Sequence, residues 1–409
     1  MNDSTSSPDW ATAHRRAFEL ATPVPAEIVE LADAAGRTLA EDLPARTDVP
    51  HYASSAMDGW AVAGDAPWRL DTGTGPLLAG EARAIVTGGL IPTGTRGVLR
   101  SENGVLRSDN GVLRSDTAAV LVRAPSAGVG EPAAGQHIRL AGEEVRAGAT
   151  VIRAGTALNP VHLAVAAIAG HDTLRVRARP RVGLVLSGNE VIERGIAAPG
   201  FVRDAFGPQL PSFIALLGGV VVGQLRIGDD HTQTAAAFGP DAAGVTAAET
   251  DLLVTTGGTS NSSADHLRQA LASVGATIVI DGIRMRPGGP TFVAQLPDGR
   301  FVLCLPGNPL AAMMGLLTVV APLIAAMAGN TPPTLGRTIA GHDIDPAKGS
   351  SRLLPFTETR GHAAVSEWLG SGMLRGLADA DGVLICPPAG ARAGDTVETI
   401  GLPWPRRAR

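Results

Sequence analysis

Between Arg179-Pro180 and residue 330 the chain alternates short, continuous apolar runs with stretches of helical spacing. Val182 to Leu186 reads as a buried strand, and Leu210 to Leu217 as a helix ended by Gly218-Gly219. Val220 to Leu225 is a second strand, followed by a helix from His231 to Phe238 that Gly239-Pro240 stops. Leu252 to Thr255 is a third strand, Ala264 to Val274 a helix, and Thr277 to Ile280 a further strand. Apolar strands separated by helices predict a parallel sheet covered on both faces.

The flanks have other rhythms. Residues 10 to 40 carry helical spacing, with Ala17, Leu20, Ile28, Leu31 and Leu39 as candidate core contacts. Asp48-Val49-Pro50 ends that region, and residues 50–139, rich in Gly, Pro and short apolar runs, predict a small β domain. A helix around Pro160 to Ala169 closes on Gly170, and residues 331–409 return to short strands and turns. The predicted domains are a helical linker (10–49 and 140–180), an inserted β domain (50–139), an α/β domain (181–330) and a C-terminal β domain (331–409).

Two stretches depart from these patterns. A seven-residue unit recurs from Gly97 to Asn103, Gly104 to Asn110 and Gly111 to Thr117. Adjacent Val-Leu and one Gly per unit defeat a coiled-coil seam, so the reading is duplicated sequence extending a surface hairpin. Leu310 to Ala328 holds no charge and nearly reaches bilayer length. Gly315, Pro322 and a Gly-Asn-Pro start instead predict a helix buried against a sheet, with no membrane span.

Composition narrows the classes. With 409 residues, 44% apolar and 18% charged, the chain has length for two to four globular domains. A net charge of -5 argues against a nucleic-acid partner, which needs a basic stripe. A local nest of amides and one or two Arg can still bind an anion. Cys304 and Cys386 sit in apolar runs and read as buried thiols. Met1 to Asp9 lacks an apolar core, so no export signal is expected and the location predicted is cytoplasmic.

Candidate chemistry begins at Ser54-Ser55-Ala56-Met57-Asp58-Gly59-Trp60-Ala61-Val62, whose one ionisable group is Asp58. Gly59 permits a tight turn or a close ligand approach. Such a carboxylate holds a metal, takes a proton or caps a helix, and its neighbours leave all three open. Sheets of this kind bind ligands in loops at the carboxyl ends of their strands. Three qualify: Ser187-Gly188-Asn189-Glu190, Thr255 to Asp265, and Pro306-Gly307-Asn308-Pro309. In the second, Gly257 and Gly258 allow a nest of amides, and Thr259 and Ser260 add donors for phosphate oxygens. Asp265 suits a divalent cation or a helix N-terminus. In the third, Asn308 suits an N-cap and Pro309 the first helical position. Arg284-Met285-Arg286-Pro287-Gly288-Gly289-Pro290 adds two guanidinium groups beside a Gly-rich bend, a pairing suited to an oxyanion.

In this order the segments resemble the molybdopterin molybdenumtransferase family, the MoeA and gephyrin E-domain type, over nearly the whole chain. The resemblance rests on Ser55-Ala56-Met57-Asp58-Gly59, Val86-Thr87-Gly88-Gly89-Leu90-Ile91-Pro92, Ser187 to Glu190, Thr256 to Ser260 and Pro306 to Pro309. It implies a multidomain α/β plus β fold. A three-layer α/β/α molybdopterin-binding domain is joined by helical-linker, inserted β and C-terminal β domains. It implies a homodimer whose cleft draws on both subunits, with a molybdopterin adenylyltransferase as partner. The implied reaction is Mg²⁺-dependent transfer of molybdate to adenylylated molybdopterin with release of AMP.

By motif match, Asp58 and Thr87 fall at active-site positions of the β domain. Glu190, Asp229 and Asp265 fall at catalytic acidic positions of the α/β domain, Glu190 and Asp265 as metal ligands. Ser187, Gly188, Gly257, Gly258, Thr259, Ser260, Pro306, Gly307, Asn308 and Pro309 match the cofactor-binding loops, and Arg286, Arg352 and Ser371 the molybdate site. Three departures stand out: Asn189 replaces an acid, Phe206 an Asn and Gly289 a Lys of the family pattern. These also suit a weakened homologue that binds molybdopterin or regulates without turnover.

Overall fold

The computed structural model describes residues 7–107, 120–239, 244, 249–257 and 264–405, with side chains from residue 266 onward in the last range. Its central sheet has six strands in the order Val220–Ile227, Arg181–Ser187, Leu252–Thr256, Phe301–Leu305, Phe292–Gln295, Thr277–Ile280. The first four run parallel. Phe292–Gln295 pairs antiparallel with both its neighbours and alone runs against the others, which corrects the all-parallel expectation. Parallel pairing needs a crossover, and no helix separates Thr277–Ile280 from Phe292–Gln295, so the chain returns in the opposite sense.

Alternation along each strand builds three layers. Val182, Leu184, Leu186, Leu303 and Leu305 pack with Leu210, Ile214 and the helix Pro309–Met327 on one face. Val185, Leu253, Val302 and Cys304 pack with Phe238, Leu267 and Leu271 on the other. The helix His231–Phe238 begins where the Asp230 carboxylate accepts the Gln233 N–H at 2.8 Å, and it ends on Gly239. Helix Phe206–Leu216 starts four residues before the expected Leu210, because Asp204 Oδ1 accepts the N–H groups of Phe206 and Gly207, each at 3.0 Å. Both cysteines are buried and free, and burial raises both thiols.

Two interior prolines are handled alike. Pro322 has no N–H for the carbonyl four residues back, that of Thr318. That oxygen instead receives Nδ1 of the buried His14 at 2.9 Å, while Trp10 Nε1 donates to Thr318 Oγ1 at 2.9 Å. Pro211 likewise frees the Gly207 carbonyl, which accepts Gln224 Nε2 at 3.2 Å. The uncharged run Pro309–Met327 is wholly buried, with a π-helical segment at Leu316–Val320, and is the core helix its residues predicted.

The first helix is Trp10–Leu20, shorter than residues 10 to 40 suggested. Pro23 and Pro25 stop it, and Ala26–Glu30 becomes a strand paired with Thr173–Arg177. Ala17 and Leu39 are buried as expected, but Ile28 is 68% exposed on the ribbon's open face, so it is not a core contact. A second six-stranded sheet, between residues 59 and 123, contains Gly59–Val62 and both described repeat segments. The first repeat strand, Gly97–Arg100, pairs with Gly59–Val62 and buries Val98 and Leu99, so it is core and not surface hairpin. The second, Gly104–Arg107, pairs with Val120–Arg123 at the sheet's other end and is largely exposed. The third unit lies outside the described residues. A third six-stranded sheet holds the C-terminal strands, and Met285–Arg286 joins it from the α/β region.

Candidate functional site

Three strand ends meet at one place. Ser187 Oγ donates to the Thr256 carbonyl at 2.9 Å, and the Gly257 N–H donates to the Leu305 carbonyl at 3.1 Å. Gly257 has φ +90°, and a Cβ placed there would stand 2.6 Å from Ser187 Oγ. Only glycine meets both demands. Gly307 packs against it from the third loop.

These loops open into a cleft of about 650 Å³ that also takes in Gly188, Glu190, Asp204, Asp229, Pro306, Asn308 and Pro309. Asp229 Oδ2 accepts the backbone N–H of Asn189 at 3.2 Å. The backbone of Asn189, not its side chain, makes this bond. Asp204 is committed to its helix cap and to an ion pair with Arg226, which also reaches Glu193 at 3.1 Å. Arg203 and Phe206 line the cleft as well. Arg203 was not among the expected site residues, since one Arg beside Asp204 carries no motif by itself.

A second cavity, of about 730 Å³, adjoins the first and shares Pro290, Pro306 and Asn308 with it. Asn308 occupies the N-cap position of the core helix, yet its side chain makes no capping bond. The side-chain cap expected there is absent, and the amide borders both cavities. Arg268, Arg284, Arg286 and Ser371 line the second cavity. Arg268 is held by Asp281 at 2.6 Å and lies over Phe292, while Arg284 is held by the Ser7 carbonyl at 2.6 Å. Among the described residues Arg286 makes no ion pair. Met285–Arg286 runs parallel to Ser351-Arg352, with Arg286 opposite Arg352. Among the described residues Arg352 makes one long hydrogen bond, 3.4 Å to the Asp345 carbonyl, and it lines neither cavity. The Ser371 carbonyl accepts the Ala311 N–H at 3.1 Å, tying the C-terminal region to the helix start.

Asp58 and Thr87 meet each other elsewhere. Asp58 Oδ1 accepts the Thr87 backbone N–H at 2.6 Å, which holds the carboxyl below its ordinary pKa of 3.8. Both residues are exposed, and neither lines the cleft that holds Glu190 and Asp229. Gly59 takes φ +153° where its Cβ would strike the Leu99 carbonyl at 2.0 Å, so the turn after Asp58 demands glycine. Gly258, Thr259 and Ser260 lie outside the described residues, and of Asp265 only the backbone is described, as the second residue of helix Ala264–Ser273. Among the described residues no three His, Cys, Asp or Glu side chains cluster.

Comparison with known proteins follows the same division. Residues 9–170 match the MoeA N-terminal region (domain I and II), and residues 183–326 the probable molybdopterin binding domain. A molybdopterin molybdenumtransferase of Nostoc sp. is 30% identical over 74% of this chain and 70% of its own. One from Staphylococcus aureus is 27% identical over 95% and 94%. A Staphylococcus epidermidis relative is 28% identical, and there the match spans 59% of the relative's length. The fold matches a solved molybdopterin biosynthesis MoeA protein of Pyrococcus horikoshii at TM-score 0.76, 23% identity, over 97% of this chain and 99% of that one.

Proposed function

The chain belongs to the molybdopterin molybdenumtransferase family, and from that premise we propose that it inserts molybdenum into adenylylated molybdopterin and releases AMP. One observation carries the reading: a carboxylate-lined cleft and an arginine-lined cavity share a wall at Pro290, Pro306 and Asn308. A substrate with a phosphorylated pterin in the first and molybdate in the second has its reacting groups side by side, which removes much of the entropic barrier. Arg286 and Ser371 collect the oxyanion, and Arg352 adds charge from the neighbouring strand. Ser187, Gly257 and Gly307 let backbone approach the phosphate end.

The oxygen donors of Glu190 and Asp229 in one cleft fit a hard cation that keeps most of its waters, with Asp265 at the adjoining helix start. When bound there, Mg²⁺ supplies charge neutralisation at the phosphoanhydride. Asp58 and Thr87 lie outside the cleft of their own chain, which supports a homodimer in which they reach the cleft of the second copy. A cytoplasmic molybdopterin adenylyltransferase is the partner that supplies the substrate.

A second reading, pterin binding without turnover, draws on the bend at Gly289. Its carbonyl accepts the Ile283 N–H at 2.9 Å, and a Cβ there would lie 3.0 Å from the Met285 carbonyl, so the bend leaves little room for a cationic side chain. The deciding experiment incubates the purified chain with adenylylated molybdopterin, Mg²⁺ and molybdate. AMP release that requires molybdate is the expected result. Tight binding with no AMP rejects the enzyme in favour of the second reading.

A further inference from the structure

We propose that Phe206 is a specificity-determining residue: its ring is a fixed platform on which the planar heteroaromatic part of the ligand stacks. The inference rests on the cleft being the pterin site. Among the described residues Phe206 is the one aromatic residue lining that cleft, whose other apolar contributions come from valines, prolines and Ala205. It is half-buried, packed on one side against the core of the α/β region and open to the cleft on another.

Its anchorage is unusually well defined. Phe206 is the first residue of its helix, and Asp204 Oδ1 holds its N–H at 3.0 Å. Asp204 is itself clamped by Arg226, and Gln224 Nε2 holds the carbonyl of the next residue, Gly207. A ring packed against the core on an anchored helix start loses little freedom when a ligand covers it, so stacking is gained without a large ordering penalty. Asn308, whose amide makes no capping bond, borders the same cleft and offers donor and acceptor to a ring edge. A π-face beside an uncommitted amide suits a flat ligand with polar edges, a pterin, better than a sugar or an acyl chain.

The test measures binding of a simple unphosphorylated pterin to the full chain by calorimetry, for wild type, F206Y, F206L and N308A. Melting curves of each variant verify folding. F206Y is expected to bind like wild type, and F206L, which keeps apolar bulk but has no π-face, about tenfold more weakly. N308A reports whether the pterin occupies this cleft at all. Weaker binding in N308A with wild-type affinity in F206L overturns the stacking platform and leaves the cleft assignment standing. Pterin binding unaffected by both substitutions, or no binding by wild type, overturns the cleft assignment and the platform together.

Discussion

Arg286 and Arg352 stand opposite each other on adjacent parallel strands, joining the α/β region to the C-terminal sheet, and no carboxylate pairs with either among the described residues. Side chains in register on neighbouring strands share a face at a strand spacing of about 4.8 Å. Two like charges so placed repel unless an anion lies between them. Removing either Arg should therefore leave stability within about 0.5 kcal/mol, while weakening the anion site. R286A is expected to raise the KM for molybdate about tenfold and R352A, which acts from outside the cavity, by a smaller factor, each with a reduced salt dependence. Steady-state AMP release against molybdate concentration measures this, and an unchanged KM in both variants removes these residues from the site.

Asp58 should separate charge from architecture. Its carboxylate holds the Thr87 N–H, and an Asn at 58 can accept the same bond. D58N is expected to keep the melting temperature within about 2 °C. If the carboxylate works at the reacting centre of a partner's cleft, kcat falls about 100-fold or more. The Thr87 bond keeps Asp58 ionised to below 3.8, so any acidic limb of the rate profile above that pH belongs to another group and keeps its midpoint in D58N. Mixing D58N with a chain inactivated at Glu190 is expected to restore part of the activity, because each supplies what the other's cleft lacks.

His14 makes stability depend on pH. Burial pushes its pKa below 6.5, partly opposed by the Thr318 carbonyl. Between the folded value and 6.5 the unfolded chain binds a proton that the native chain does not. Stability therefore rises with pH through that window and levels off above 6.5. The slope reaches about 1.4 kcal/mol per pH unit for one group. H14Q, which can still donate to Thr318 O, is expected to lose less stability than wild type between pH 6.5 and 5.5. Paired thermal melts at the two pH values read the difference, and equal losses would show that His14 is protonated in the native state.

How much of this was readable beforehand differs from place to place. The helix His231–Phe238 matches its expected ends because Asp230 and Gly239-Pro240 are local signals that depend on nothing distant. Ile28 misled because apolar spacing was followed across Pro23 and Pro25, and a two-stranded ribbon exposes one face whatever its residues. The pairing of Met285–Arg286 with the C-terminal sheet spans two residues, too short for any periodicity. It nevertheless brings Arg286 beside Arg352. The three glycine-bearing loops were visible because strand ends and Gly positions are encoded locally. Arg203 was not, since its place in the cleft comes from the fold alone.

The repeat offers a test of register. Deleting residues 104–110 joins Asn103 to Gly111, and the chain again reads Gly-Val-Leu-Arg at the same distance from the first unit. The replacement can take up the pairing of Gly104–Arg107 with Val120–Arg123, and its glycine meets the close approach of the Trp60 ring, 2.4 Å from a Cβ at 104. The connection to Val120 shortens, which lowers its closure entropy cost by under about 1 kcal/mol. Removing Gly104 alone shifts the strand by one residue and turns Val105 and Leu106 to opposite faces. The seven-residue deletion is expected to melt within about 3 °C of wild type, and the single deletion well below it. Calorimetry of the full chain distinguishes them, and equal melting of both would mean that this strand's register is not set by its neighbours.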